Sequence, residues 1–232
     1  MKEFTLSREL IEAGGIDAIA ARDAPSFEIL SQEERAASLR ETLANRPTGD
    51  IWLFGYGSLI WNPTVNSIER RTAKIEGWHR SFCLSSCVGR GSVKNPGLVL
   101  GLDEGGSCYG VAFRIPEEIA EGELAVLWRR EMLSRAYEPR WLDMLDGRGQ
   151  RFATGIAFTI DRASPQYAGD LSEAEVIRRI ATAQGALGSS SEYLFQTREG
   201  LRSHGISDLE LEVVADRVAA VQASALEAGH GV

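Results

Sequence analysis

The stretch IWLFGYGSLIWNP, Ile51–Pro63, decides between two ways of folding this chain. Ile51, Trp52, Leu53 and Phe54 read as a strand that is apolar on both faces. Leu59, Ile60 and Trp61 are apolar again, and between the two runs lies the flexible, polar Gly55-Tyr56-Gly57-Ser58. In a doubly wound parallel sheet such a glycine loop would open a helix. Here Ile stands at position 60 where a third glycine is needed, and Pro63 falls inside the helix that should follow. No Gly-Lys-Ser/Thr makes a P-loop, and Ser58 sits in Y-G-S-L-I rather than in G-x-S-x-G. Two readings of the loop stay open. One is a structural tight turn. The other is a nest of backbone N–H groups at a strand end, able to hold a carboxylate or an oxyanion.

Outward from this stretch the element order supports the same choice. Ser31 and Glu34 form a capping box that opens a helix ended by Pro47 and Gly49. Before it stands a short helix around Ser7 to Ala13, then a loop after Gly14-Gly15. From Thr72 to Arg114 short strands are expected: TAKIEGWHRSFCLSS, GLVLGLD and CYGVAFRI, separated by glycine-rich turns. GRGSVKNPG, Gly89–Gly97, reads as a surface loop. A helix starts at Pro116, resumes around Glu121 and reaches about Ser134, and RFATGIAFTI is a further strand. Three helices close the chain, each with an S-x-x-E start: Ser172/Glu175, Ser189/Glu192 and Ser207/Glu210. Strands and helices do not alternate regularly. The expected fold is therefore α+β, a small mixed or antiparallel β-barrel with flanking helices. Residues 1–50 form a helical extension and residues 51–232 the main domain.

Composition narrows the function. The chain has 232 residues, 44% apolar and 25% charged, enough for one good core. A net charge of -8, with no basic cluster longer than a pair, argues against a nucleic-acid partner. The pairs Arg70-Arg71, Arg129-Arg130 and Arg178-Arg179 read as solvated faces. No apolar run of membrane length is present and the N-terminal stretch lacks a secretory signal. Three cysteines, an odd number, point to free thiols. The expected location is the cytoplasm.

Glu131 is the residue whose place is hardest to explain by packing. Leu124, Leu127 and Trp128 stand at helical spacing, and Glu131 continues that apolar stripe while Arg129 and Arg130 point elsewhere. A carboxylate there is unfavourable unless paired or functional, and desolvation would raise its pKa towards a value useful for a general base or acid. The competing readings are a structural ion pair with an arginine, or a helix rotated enough to expose the group. Zinc is not expected. His79, Cys83 and Cys87 stand four apart on strand and loop, with no fourth ligand. The three histidines, His79, His204 and His230, give no serine-hydrolase arrangement. In SEYLFQTREGL, Leu194 and Phe195 read as core, whereas Tyr193 can turn its hydroxyl into a pocket.

Taken in order, FGYGSLIWNP, the Arg90-Gly91 step, NPGLVLGL, YGVAFRI, RRE at 129–131 and SEYLF resemble the ChaC-like γ-glutamylcyclotransferase family, over about residues 51–203. The resemblance implies a small mixed barrel and the conversion of glutathione to 5-oxoproline and cysteinylglycine, with no cofactor and no metal. It also implies that Tyr56, Gly57, Ser58 and Leu59 bind the γ-glutamyl moiety, that Arg90 and Tyr193 contact substrate, and that Glu131 is the catalytic acid/base. Where the family often has REKGGY, this chain has RREMLSRAY, and the family's tyrosine in the strand after this helix aligns with Phe158. Two alternatives accompany this reading: a non-catalytic γ-glutamyl-binding or regulatory module, and a cyclotransferase for other γ-glutamyl amines or dipeptides.

Overall fold

The computed structural model describes residues 6–229, so His230 lies outside the described residues. The element order is α1 (Arg8–Glu12), α2 (Gly15–Asp23), α3 (Gln32–Ala44), β1 (Ile51–Gly55), α4 (Ser58–Trp61), β2 (Glu69–Ser86), β3 (Gly97–Ile115), α5 (Glu117–Glu131), β4 (Tyr137–Leu145), β5 (Arg151–Ile160), α6 (Glu173–Thr182), β6 (Gln184–Gly185), β7 (Gly188–Ser189), α7 (Ser190–Ser203) and α8 (Leu209–Gly229). Five strands close a barrel in the order β1-β3-β2-β4-β5. It is mixed, because β1 lies antiparallel to β3 and parallel to β5. The expected α+β barrel with flanking helices is the fold observed.

β2 and β3 form one long, bent ribbon, paired from Glu69↔Arg114 to Ser86↔Gly97. Two separate strands with a turn between them were expected across Gly97–Ile115; the structure has one. Gly105 and Gly106, at φ 101° and 67°, bend the strand without ending it, opposite Gly77 at φ 82°. The pairing register shifts there, between Glu76 and Trp78. A bulge of this kind curves a sheet enough to close a small barrel.

Other local expectations need correction. Gly14 and Gly15 do not begin a loop. Gly14, at φ 73°, turns the chain from α1 directly into α2. β4 has no counterpart in the sequence reading, because YEPRWLDML mixes a proline and charges into a half-exposed strand. It nevertheless pairs along its length with β5, from Tyr137↔Ile160 to Leu145↔Arg151. α5 runs unbroken through the exposed Gly122 and ends at Glu131, not near Ser134. Ser31, Ser172 and Ser189 cap their helices as read. For α8, however, Asp208 rather than Ser207 accepts the Leu211 N–H, at 3.0 Å.

The helices cover the barrel unequally. α6, α7 and α8 pack on one another, and α7 also contacts α4 and β3. α1 and α3 pack on α5. Trp128 of α5 is fully buried, edge-on to Phe158 at 5.1 Å, and donates to Ser38 Oγ at 3.2 Å. It thus joins barrel, α5 and α3. Trp128→Ala removes the largest fully buried side chain and orphans Ser38, and is expected to cost about 3–5 kcal/mol in urea unfolding.

Candidate active site

One cavity of about 310 Å³ opens where α4, the end of β2 and the loop after it, the end of α5 and the start of α7 meet. That is a small-molecule size. Its polar lining includes Ser58, Arg90, Arg130, Glu131, Glu192 and Tyr193. Ser58, Arg90, Glu131 and Tyr193, dispersed over 136 positions of sequence, therefore share one concave surface.

Glu131 sits at the last position of α5, its side chain 13% exposed. The stripe that carries it is buried as the spacing predicts: Leu124, Leu127 and Trp128 are each essentially inaccessible. Burial raises its pKa, and the positive charge of Arg130 only partly counters this. Arg130 was expected on a solvated face, pointing away from Glu131. Instead its guanidinium is 3% exposed, with Nε 2.8 Å from Glu131 Oε1. Nη2 donates to Ser58 Oγ at 2.8 Å, and Nη1 to Asn62 O at 2.5 Å and Thr64 Oγ1 at 3.1 Å. The reason is a second buried stripe on α5, Glu123, Val126 and Arg130 at i, i+3 and i+7, which meets the N-terminal helices at Glu123 and Val126 and the 58–64 turn at Arg130. A helix covered on two sides has no free face for that arginine. The same spacing rule, applied to Val126 and Leu127, would have singled Arg130 out.

The glycine loop is held from behind. Gly57 lies against the Tyr193 hydroxyl; a Cβ added there would stand 2.6 Å from it. That hydroxyl accepts the Leu100 N–H at 3.3 Å, a bond that leaves its own proton free to donate. Burial pushes the Tyr193 pKa up to about 12, so the group is a neutral donor at physiological pH. Tyr56, Gly57 and Leu59 do not line the cavity. Tyr56 is buried with its hydroxyl on the Phe158 carbonyl at 2.9 Å, and its own carbonyl accepts from Arg80 Nε at 2.6 Å. Leu59 packs in the core, so what the loop presents comes from Ser58 and the backbone. Gly57→Ala is expected to displace Tyr193 or the loop and to lower kcat/KM by roughly 10–10²-fold, since a misplacement of about 1 Å can cost about 10²-fold; steady-state kinetics with a thermal-melt control checks it.

Arg90 projects from the loop read as surface. Val93 and Lys94 of that loop are exposed, but the Arg90 side chain is 14% exposed and joins the cavity wall. It pairs with Glu192 at 2.9 Å and lies 5.9 Å from the Trp61 ring centroid. Desolvation lowers its pKa, against the opposing pull of Glu192. The strand that follows α5 is β4, and it opens with Tyr137, whose hydroxyl donates to Leu100 O at 2.7 Å beside the cavity. Phe158 lies in β5 and is packed in the core. Tyr137, Trp61, Glu192 and Gln196 join the lining without any signal in the sequence that separated them from core or surface residues. Cys83 and Cys108 are buried free thiols, pushed up to about 12 and about 11 by desolvation. Among the described residues no three His, Cys, Asp or Glu side chains gather to hold a metal ion, and no helix is long and apolar enough to cross a membrane.

The mixed five-stranded barrel has counterparts among solved structures. The fold matches a crystal structure of a gamma-glutamyl cyclotransferase specific to glutathione from yeast, with a TM-score of 0.67 at 23% identity, covering 74% of this chain and 96% of that one. The family model described as ChaC-like protein matches residues 51–222, and the chain belongs to that family. It is 44% identical over 191 residues to the glutathione-specific gamma-glutamylcyclotransferase of Escherichia coli K12, covering 79% of this chain and 81% of that protein. It is also 29% identical over 173 residues to glutathione-specific gamma-glutamylcyclotransferase 1 of Rattus norvegicus, covering 72% and 78%.

Proposed function

We propose that this chain is a γ-glutamylcyclotransferase that converts glutathione to 5-oxoproline and cysteinylglycine, acting in the cytoplasm. The observation that carries the chemistry is Glu131, a carboxylate with a raised pKa at the wall of a small-molecule cavity, fixed by Arg130 and adjoining Ser58.

The γ-glutamyl unit contains its own nucleophile. Its α-amine reaches its γ-carbonyl carbon and closes a five-membered lactam; the amide bond to the cysteinyl nitrogen then breaks. No water is consumed. The α-ammonium gives up two protons, and the departing nitrogen, an amide N–H, gains two to leave as an ammonium. Glu131 accepts from the first and delivers to the second. A general acid/base so placed contributes about 10²–10⁴-fold. The first N–H group of α4, at Ser58, has no acceptor within that helix. It serves the α-carboxylate or the tetrahedral oxyanion, with the Tyr193 proton as a further donor. Arg90 offers the compensating charge for a substrate carboxylate. Tyr56, Gly57 and Leu59 act by holding that loop in place.

The test is incubation of the purified chain with glutathione, both products being followed by mass spectrometry. Equimolar 5-oxoproline and cysteinylglycine are expected. Formation of neither product from glutathione would overturn the assignment. Turnover of other γ-glutamyl compounds, or binding without turnover, would then identify the related cyclotransferase or the binding module.

A further inference from the structure

The barrel and its family match begin at Ile51, yet the cavity does not. Leu6, Ile16 and Phe27 line it from residues that precede the matched region. With Leu133 they add an apolar stretch to a lining that also holds Trp61, Leu84, Val88, Val99 and Leu187. We propose that this segment, residues 6–30, is the subsite for the leaving half of the substrate, and that Leu6, Ile16 and Phe27 receive the side chain of the residue attached to the γ-glutamyl group. The proposal rests on the cyclotransferase reading above and goes on to name its substrate class: γ-glutamyl peptides whose second residue carries a compact apolar or thiol side chain.

Three observations carry it. The first is attachment. Leu6 O accepts from Asn62 Nδ2 at 2.8 Å, Arg8 pairs with the buried Glu123 at 2.5 Å, and Leu30 N–H donates to Leu133 O at 2.9 Å. Glu123 also accepts from Asn66, through both backbone and side chain, at 2.8 and 3.0 Å. Burial would raise the Glu123 pKa, but Arg8 and Asn66 hold it below the ordinary value. The segment is thus tied to the turn that also holds Arg130, through Asn62 and Thr64. It is a fixed wall of the site.

The second observation is proximity. Leu133, two residues beyond Glu131, packs with Leu6, Ile11 and Ile16. The apolar wall therefore starts within one turn's length of the acid that protonates the leaving nitrogen. The third is complementarity. A γ-glutamyl head carries an ammonium and a carboxylate and belongs against Ser58, Arg90 and Glu131. Beyond the scissile amide stands one short, weakly polar side chain, ahead of a peptide bond and a terminal carboxylate, and an apolar wall suits that side chain.

The experiment uses the full chain and two peptides that differ only in that side chain, glutathione and γ-glutamylglycylglycine. Phe27→Ala is the main variant because Phe27 is only half-buried; Phe27→Leu restores bulk. The wild type is expected to prefer glutathione. In Phe27→Ala the ratio of the two kcat/KM values falls about tenfold, as a lost apolar contact predicts, with the loss in KM, and Phe27→Leu recovers most of it. An unchanged ratio, or equal loss on both peptides with an unaltered thermal melt, overturns the subsite. Should the wild type release no 5-oxoproline, the cyclotransferase reading fails on its own, and calorimetric titration of both peptides decides the subsite separately. Weaker glutathione binding in Phe27→Ala, relative to γ-glutamylglycylglycine, upholds it. Identical behaviour of the two peptides, or no binding of either, overturns it.

Discussion

Glu131→Gln is expected to fold and, in a steady-state glutathione assay, to lose turnover by about 10²–10⁴-fold, the range of a single general acid/base. Gln keeps the shape of the side chain and an acceptor oxygen for Arg130 Nε, so the cavity is retained, but an amide neither takes nor returns a proton. The stability of the variant separates a catalytic role from a structural one. The folded pKa of Glu131 is raised, with burial as the first cause and Arg130 opposing it. The folded state therefore holds this proton more tightly than the unfolded one. Its stabilising contribution is complete below the ordinary carboxylate pKa and disappears as pH rises through the raised value. At neutral pH the ionised carboxylate is a net burden on the fold. Glu131→Gln should then be at least as stable as the wild type at pH 7 and lose any advantage in acid. A large loss of stability at pH 7 would mark Glu131 as half of a structural ion pair.

Arg130→Met has the second large effect and reaches it by another route. Removing the guanidinium leaves Ser58 Oγ, Asn62 O, Thr64 Oγ1 and Glu131 Oε1 without their shared donor. Breaking a buried pair from one side costs about 3–5 kcal/mol. That cost should be greatest where Glu131 is ionised and smaller in acid, where it is neutral. For kinetics the sign is equally definite. Arg130 pulls the Glu131 pKa down, so its removal sends that pKa higher. Glu131 must be deprotonated to accept the ammonium proton. The acidic limb of kcat/KM therefore moves to higher pH, beyond the loss of rate at the optimum. Arg130→Lys keeps a charge near Glu131 but cannot span four partners, so it should restore the limb more fully than the rate. An unshifted limb in both variants would mean that Glu131 does not set it.

Legibility in the sequence followed the range of the interactions. Ser31, Ser172 and Ser189 cap their helices through bonds three residues long, and those starts could be read directly. Glu131 was visible because a single helix repeats its faces on a fixed period, and a carboxylate in phase with Leu124, Leu127 and Trp128 breaks the pattern. Arg130 was not, because its burial depends on α1 and the 58–64 turn arriving from elsewhere. β4 escaped because its partner β5 supplies what its own composition lacks; Pro139 and the charges around it are tolerated in a half-exposed strand. Gly105-Gly106 reads as a turn locally and becomes a bulge only opposite Gly77. The glycine loop announced an unusual backbone, but the Tyr193 hydroxyl that excludes a Cβ at Gly57 comes from 136 residues further on. For the same reason nothing in the first fifty residues marked Leu6, Ile16 and Phe27 as part of the cavity.

The central claim is that the substrate's own amine, not water, attacks the γ-carbonyl in the cavity beside Glu131. Running the reaction on glutathione in ¹⁸O-enriched water and weighing the products tests it most directly. Attack by the amine gives 5-oxoproline free of heavy oxygen, in equal amount to cysteinylglycine. Glutamate carrying ¹⁸O in its γ-carboxylate would contradict it, and would make the site that of a hydrolase.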